Sequence, residues 1–501
     1  MRNFDTSKIQ QIIPSMSLHD NRKNLVDAVS VIDEAQVTIA IQAYNRIEKT
    51  KKCIETILKY TTDIDFELML IDNGSDDETL KYFENLNYAK KKIIHINKNI
   101  GPMLPSLLFS PSDFCRYIAW LPNDVQVTKN WLNNLITVLE SDDKIGMACP
   151  VSSNVSNIQQ VNLQFSNEEE MQQEAAKFNC SDPTKWQERL RLITVVTVYR
   201  KECLLAAGFP IADLGYMHDF GDDDISFRIR RMGYKVFLAG DTWVHHNHNI
   251  WNLEDKDPIK HEQSISIGRA NFEDKFQGID AWSDVNNYWI DIMSNVPVPL
   301  INNKKHILGI DVKCGTPILD VKNYLRKFGM FDVELSSFTE MAKYITDLNT
   351  ICDGIVSCDR EEFFINHFPS EYYDYVIMDK PINQYHEPQF MIDGIMHLLK
   401  PGGILLFPLL NTFSVYEYLN CQGNYNLYNT EFAYNIPLEA LHATLNKYGN
   451  ILFTCSKSLK LEKKDMEIIN SRIPKELSEQ DRNEIIMRLT VDRYILCVEK
   501  K

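Results

Sequence analysis

Short apolar runs alternating with helical patterns and polar turns carry most of the information in this chain, most clearly between residues 37 and 77. Residues 37–41 and 67–71 are compact apolar runs of the kind that form strands buried on both faces. Between them Ile47, Ile54, Ile57 and Leu58 recur at helical spacing among lysines and threonines. Strand, helix, strand predicts a βαβ unit and a parallel sheet. The second run ends in Asp72-Asn73-Gly74-Ser75-Asp76-Asp77, a polar turn at the strand end where open α/β sheets hold ligands. Ser75 or Asp76 is placed to cap a helix beginning near Glu78.

The same alternation continues. Residues 92–96 predict a strand followed by the turn at 97–102, and the apolar run at 114–121 leads into Pro122-Asn123-Asp124. Residues 155–190 are polar and Gln/Glu-rich, with Trp186 as their aromatic anchor, and 194–200 predict another strand. Phe220-Gly221-Asp222-Asp223-Asp224 then opens a helix with Ile225, Ile229 and Met232 on its inward face. A carboxylate there is favoured by the helix dipole, and three successive acids repel one another, which raises the proton affinity of one of them. Strand patterns at 236–239 and 242–244 end in His245-His246-Asn247-His248-Asn249. Period-two alternation lets only one of His245 and His246 face a given side.

Composition narrows the class. A chain of 501 residues exceeds one ordinary core and predicts two or three domains. A formal charge of −16 excludes a predominantly electrostatic nucleic-acid or anionic-membrane binder. Eleven scattered cysteines without a C-x-x-C pair point to reduced thiols and a cytoplasmic location. The first residues show no apolar h-region, so no signal peptide is expected, and the apolar run at 404–410 is too short to cross a bilayer.

The order of these motifs resembles the GT-A fold of family 2 glycosyltransferases, whose Rossmann-like sheet binds nucleotide-diphospho-sugars. The resemblance rests on Tyr44-Asn45-Arg46, Asp72-Asn73-Gly74-Ser75, Asn123-Asp124 and the segment from Phe220 to Tyr234. It implies that Gln42 and Tyr44 line the uracil and ribose pocket and that Asp72 accepts from uracil N3–H. The turn at 97–102, with Lys98, would lie near the donor diphosphate. Asn123 and Asp124 occupy the Asp-x-Asp position, with Asn123 replacing the first acid. Asp124 and His246, with His245 as the alternative histidine, would hold Mn²⁺ or Mg²⁺. Asp222 falls on the catalytic base. The helical pattern at 261–295 and the linker Val296-Pro297-Val298-Pro299 would close this domain.

From residue 304 a second pattern begins. Ile307-Leu308-Gly309-Ile310-Asp311-Val312-Lys313-Cys314-Gly315-Thr316-Pro317 resembles the first motif of class I SAM-dependent methyltransferases. Lys313 and Pro317 stand where outer glycines belong, which weakens the expectation of SAM binding. Glu334 would match the acidic end of the second strand, and Leu398-Leu399-Lys400-Pro401-Gly402-Gly403 the turn into the fifth. Residues 450–454 and 493–498 would form the closing antiparallel pair.

The expectation is therefore an α/β protein: an N-terminal helical extension at 1–34, a GT-A domain at 35–297 and a Rossmann-like methyltransferase-type domain at 303–501. The two-domain pattern is similar to bacterial flagellin O-GlcNAc transferases. That similarity implies inverting transfer of GlcNAc from UDP-GlcNAc to Ser or Thr of flagellin in the cytoplasm. A glycan acceptor at the cell surface remains open, as does a SAM-dependent methyltransferase with an accessory sugar-binding half.

Overall fold

The computed structural model describes residues 1–4, 36–209, 211–216, 218–248, 258–298, 303–415 and 434–501. The expected N-terminal helix lies outside them apart from Arg2–Phe4, which is a strand, and Asn249 and Pro299 also lie outside. The chain forms two compact units, Met1–Asn286 with Arg326–Gly329, and Asn287–Leu325 with Met330–Lys501. The division falls before the Val296-Pro297 linker for a local reason. The Asn287 side chain donates to Asp379 Oδ2 at 2.9 Å, and Trp289 Nε1 donates to Asp379 Oδ1 at 3.1 Å.

In the first unit the strands are β1 (Arg2–Phe4), β2 (Val37–Ala43), β3 (Phe66–Asn73), β4 (Lys91–Ile96), β5 (Tyr117–Pro122), β6 (Val125–Gln126), β7 (Ile145–Ser152), β8 (Trp186–Glu188), β9 (Thr197–Arg200) and β10 (Lys235–His246). Their order is β1-β4-β3-β2-β5-β9-β7-β10-β6, with β8 on β10. β1 to β5 pair in parallel, and so do β7 and β10, whereas β9 runs antiparallel between β5 and β7. The helix Ile47–Tyr60 buries Cys53, Ile54 and Ile57, which join Val37, Ile39 and Ile41 of β2 in one core cluster.

This topology places the site. The chain runs from β2 outward through β3 to β4, then returns to β2's other side as β5. That reversal opens a crevice outside the carboxyl ends of β2 and β5. Because β9 is antiparallel, its N-terminal end lies at the same edge.

In the second unit β11 (Lys305–Ile310), β12 (Val333–Thr339), β13 (Val356–Cys358), β14 (Tyr373–Met378), β15 (Leu399–Leu410), β16 (Gly449–Ser458) and β17 (Val491–Lys500) take the order β13-β12-β11-β14-β15-β17-β16. The first five are parallel and the last two antiparallel. This is a Rossmann-like α/β sheet closed by an antiparallel pair. One expectation moves: Glu334 is the second residue of β12, and the acid just past the strand's end is Glu340. Its carboxylate is taken by Lys380 at 2.6 Å. Asp311 is equally occupied, accepting from Tyr385 Oη at 2.7 Å and from the Glu340 amide at 2.9 Å. Among the described residues, no helix is long and apolar enough to cross a membrane.

Candidate active site

Asp72 is fully buried at the end of β3. Its Oδ1 accepts from the Ser75 amide at 3.1 Å, and its Oδ2 lies 2.7 Å from His95 Nδ1. His95 stands opposite Asp72 in the β3–β4 register, a partner that sequence reasoning missed. Ser75 does not cap the following helix. Its hydroxyl accepts from the Asn45 amide, while Asp77 accepts from the amides of Ile47 and Thr79. The polar turn is thus spent on tying the ends of β2 and β3 together. Gly74 is demanded by geometry: its φ is +76°, and a Cβ there would lie 2.5 Å from the Asn99 amide nitrogen. Asn73 fastens the same 97–102 turn, donating to Gly101 O at 2.9 Å.

Gln42 and Tyr44 mark the end of β2. Gln42 Nε2 approaches Gly101 O at 3.5 Å, while its Oε1 is buried with no partner among the described residues. A buried acceptor of this kind is left with an unmet demand for a donor. Tyr44 is 45% exposed at the crevice mouth.

Asn123 and Asp124 part company. The Asn123 amide turns inward, donating to Asn45 O at 2.9 Å and Thr50 Oγ1 at 2.8 Å. An aspartate has no N–H to give, so the departure from the Asp-x-Asp pattern has a structural cause. Asp124 points to the histidines. β6, the two residues after it, pairs antiparallel with the end of β10, setting His246 opposite Val125. His246 Nε2 is 3.4 Å from Asp124 Oδ1, and His248 Nδ1 is 3.3 Å from Oδ2. The two rings stack with centroids 5.2 Å apart, and Arg46 Nη1 lies 3.6 Å from the same carboxylate. Burial is the largest single influence and works to raise the Asp124 carboxyl, but hydrogen bonding and charge from His246 and His248 together outweigh it and hold the group well below the usual carboxylate range.

Asp124, His246 and His248 offer ligand atoms all within 4.8 Å of one another. One carboxylate and two imidazoles fit a divalent transition ion, with the remaining positions open to phosphate oxygens and water. His245 is not part of this set. It faces the other way on β10, within 3.0 Å of Ser153 Oγ and packed edge-on to Phe165, and burial holds its pKa below the ordinary value. His248 is the member of the cluster that sequence reasoning did not single out. Its position two residues past His246, just beyond the end of β10, was the available signal.

The acidic helix Gly221–Arg231 resolves into three roles. Asp224 is sealed in a buried network, 2.7 Å from Arg228 Nε and 2.5 Å from Lys275 Nζ, which also reaches Asp213 at 2.7 Å. Asp223 pairs with Arg191 at 2.9 Å and accepts from Trp282 Nε1 at 3.2 Å, and burial pushes its pKa up to about 6. Asp222 has no cation within ion-pair distance among the described residues. Its partner is Thr194, through both amide and hydroxyl. Burial raises its proton affinity and the Thr194 hydrogen bonds oppose the rise. The expected like-charge repulsion is therefore mostly neutralised, because two of the three acids have cations, and desolvation does the raising. Thr194 lies three residues before Thr197, which pairs with Trp120 near the end of β5. Asp222 is thereby tied to the same sheet edge as Asp72 and Asp124.

Fold and site together define an α/β domain with an acid–imidazole cluster, Asp124, His246 and His248, beside its topological switch. Residues 38–189 match the family described as Glycosyl transferase family 2. The chain is 28% identical over 118 residues to an uncharacterized glycosyltransferase of Rickettsia bellii (strain RML369-C), covering 24% of this chain. It is 30% identical over 112 residues to one of Haemophilus influenzae, covering 22% of this chain. The aligned part spans only 17% of the first relative and 34% of the second. Among solved structures, a mannosyltransferase of Pyrobaculum calidifontis in complex with GDP-Man and Mn²⁺ aligns at 13% identity and a TM-score of 0.34, covering 53% of this chain and 74% of that one.

Proposed function

We propose that this protein is a metal-dependent, inverting glycosyltransferase that moves a sugar from a UDP-sugar donor to an acceptor hydroxyl. The carrying observation is the convergence of Asp124, His246 and His248 at the switch-point edge, within a chain whose residues 38–189 match family 2 glycosyl transferases. Gln42, Tyr44 and Asp72 would bind the nucleoside, with His95 orienting the Asp72 carboxylate. Asp124, His246 and His248 would hold Mn²⁺ or Mg²⁺. A divalent ion bound there supplies neutralisation of charge on the diphosphate leaving group. Arg46 adds a second positive charge beside the same carboxylate.

Asp222 would act as general base. The acceptor oxygen bonds to the anomeric carbon from the face opposite the diphosphate, its proton passes to the Asp222 carboxylate, and the bond from carbon to the UDP oxygen breaks. The availability of Asp222 supports this role: its two acidic neighbours are consumed by ion pairs. The resemblance to flagellin-modifying enzymes supports GlcNAc as the sugar, Ser or Thr of a flagellin-like protein as the acceptor, and the cytoplasm as the location.

UDP release from a panel of UDP-sugars, with Mn²⁺ or EDTA, tests the reading on wild type and Asp124→Ala. Turnover of one donor that needs both metal and Asp124 is expected, and flagellin should accelerate it. Absence of UDP binding and of release with every donor would overturn it.

A further inference from the structure

A second set of ligating side chains converges in the first unit, sharing no residue with the Asp124 set. His218 and Asp219 lie in the turn before the helix Gly221–Arg231, and His261 is near the start of the helix Pro258–Lys275. Asp219 Oδ2 is 3.4 Å from His218 Nδ1 and 3.6 Å from His261 Nε2. One ligand atom from each of the three lies within 4.8 Å of the other two, and the imidazole planes are 83° apart. We propose that His218, Asp219 and His261 form a second divalent-cation site, suited to a borderline ion such as Zn²⁺.

The distances carry the argument. Both imidazole nitrogens approach one carboxylate oxygen at separations longer than hydrogen bonds to nitrogen, which run about 2.7–3.2 Å. They match the edge of a tetrahedron with metal–ligand bonds of about 2.1 Å, which is roughly 3.4 Å. Two imidazoles and a carboxylate are a donor set that favours zinc over magnesium, since magnesium prefers oxygen ligands and keeps its water. His218 is half-exposed, so one side is open for water or a small ligand to complete the coordination.

The scaffold around the cluster is held independently of any ion. Phe220 stacks on Trp282 with centroids 4.6 Å apart. Further along His261's helix, Asn271 donates to Gly215 O at 3.0 Å and Lys275 pairs with Asp213 at 2.7 Å. These contacts fix the helix against the turn, so His261 is delivered to Asp219 by the fold. His218 and Asp219 immediately precede the helix Gly221–Arg231, so a bound ion would sit beside the turn that launches the Asp222 helix and would pin the start of His261's helix to it.

Isothermal titration of full-length Asp124→Ala with Zn²⁺ tests the site with the first cation set disabled. One zinc per chain is expected, weakened at least tenfold by adding either the near-isosteric Asp219→Asn or His261→Ala. Co²⁺ in the same Asp124→Ala protein should give the intense visible bands of four-coordinate geometry, lost with Asp219→Asn. Circular dichroism of each variant checks that it is folded. Absence of zinc binding to Asp124→Ala, binding indifferent to both added substitutions, or only weak octahedral Co²⁺ bands would overturn the proposal. These readouts involve no sugar transfer, so they stand apart from the assignment of catalytic function.

Discussion

Single residues divide the acidic motifs into working and supporting groups. Asp222→Asn keeps the shape of the helix start and removes the proposed base. Transfer should fall by roughly 10²–10⁴-fold, while UDP affinity by titration calorimetry stays within about twofold. The pH profile carries a sign. The Asp222 carboxyl is raised by burial, and the working form is the deprotonated one. The kcat/KM should therefore fall on the acid side through an apparent pKa above the ordinary aspartate value of about 3.9, and the Asn variant should lose that limb. Asn123 makes the opposite kind of prediction. Asn123→Asp restores a second acid to the motif, yet it sets a carboxylate against the Asn45 carbonyl and strips Thr50 of its donor. Urea denaturation should show a loss of about 1–3 kcal/mol, with no gain in metal affinity.

At the scale of elements, the site depends on strand and helix ends being tied to one another. Asp77 accepts from both Ile47 and Thr79, so one side chain fixes the starts of two helices. The helix Pro258–Lys275 is anchored at its last residue, where Lys275 joins Asp213 to Asp224 inside the core. Lys275→Met removes a charge that Asp213 and Asp224 share. Breaking a buried network from one side costs about 3–5 kcal/mol. Denaturant unfolding should register that loss, and transfer should fall with it because the Asp222 helix shares the network. Retained stability would mean that Arg228 alone suffices for Asp224.

For the whole molecule, two α/β units carry unequal chemistry. In the second, the positions that a class I methyltransferase would turn toward its nucleoside are satisfied internally: Asp311 by Tyr385 and Glu340 by Lys380. Lys313 sits at φ +55° where the motif has glycine, a conformation that costs a side-chain-bearing residue of order 1–3 kcal/mol. Titration with SAM should give no binding heat, and SAM should leave donor turnover unchanged. A micromolar SAM site would contradict this and make the second unit a catalytic candidate.

The chain's own patterns determined which element ends would be acidic. Asp72 and Asp124 follow strand runs and Asp222 opens a helix, each with period and turn chemistry written in consecutive residues. Alternation along β10 likewise separated His245 from His246, because side-chain direction in a strand is a local property. The Rossmann-like order of the second unit was legible for the same reason, although the acid at the end of β12 was misplaced by six residues.

Tertiary structure decided what each acid meets. His95 reaches Asp72 through the register of β4 on β3, and His248 reaches Asp124 because β6 folds back on the end of β10. Asn123 turns inward because Asn45 and Thr50 wait there, and Asp223 and Asp224 are silenced by Arg191 and Lys275 from 32 and 51 residues away. Such partners are set by register and long-range packing, which no local pattern encodes. A carboxylate's role as ligand, base or buried counter-ion depends on the charges and donors that the fold brings within a few ångströms of it.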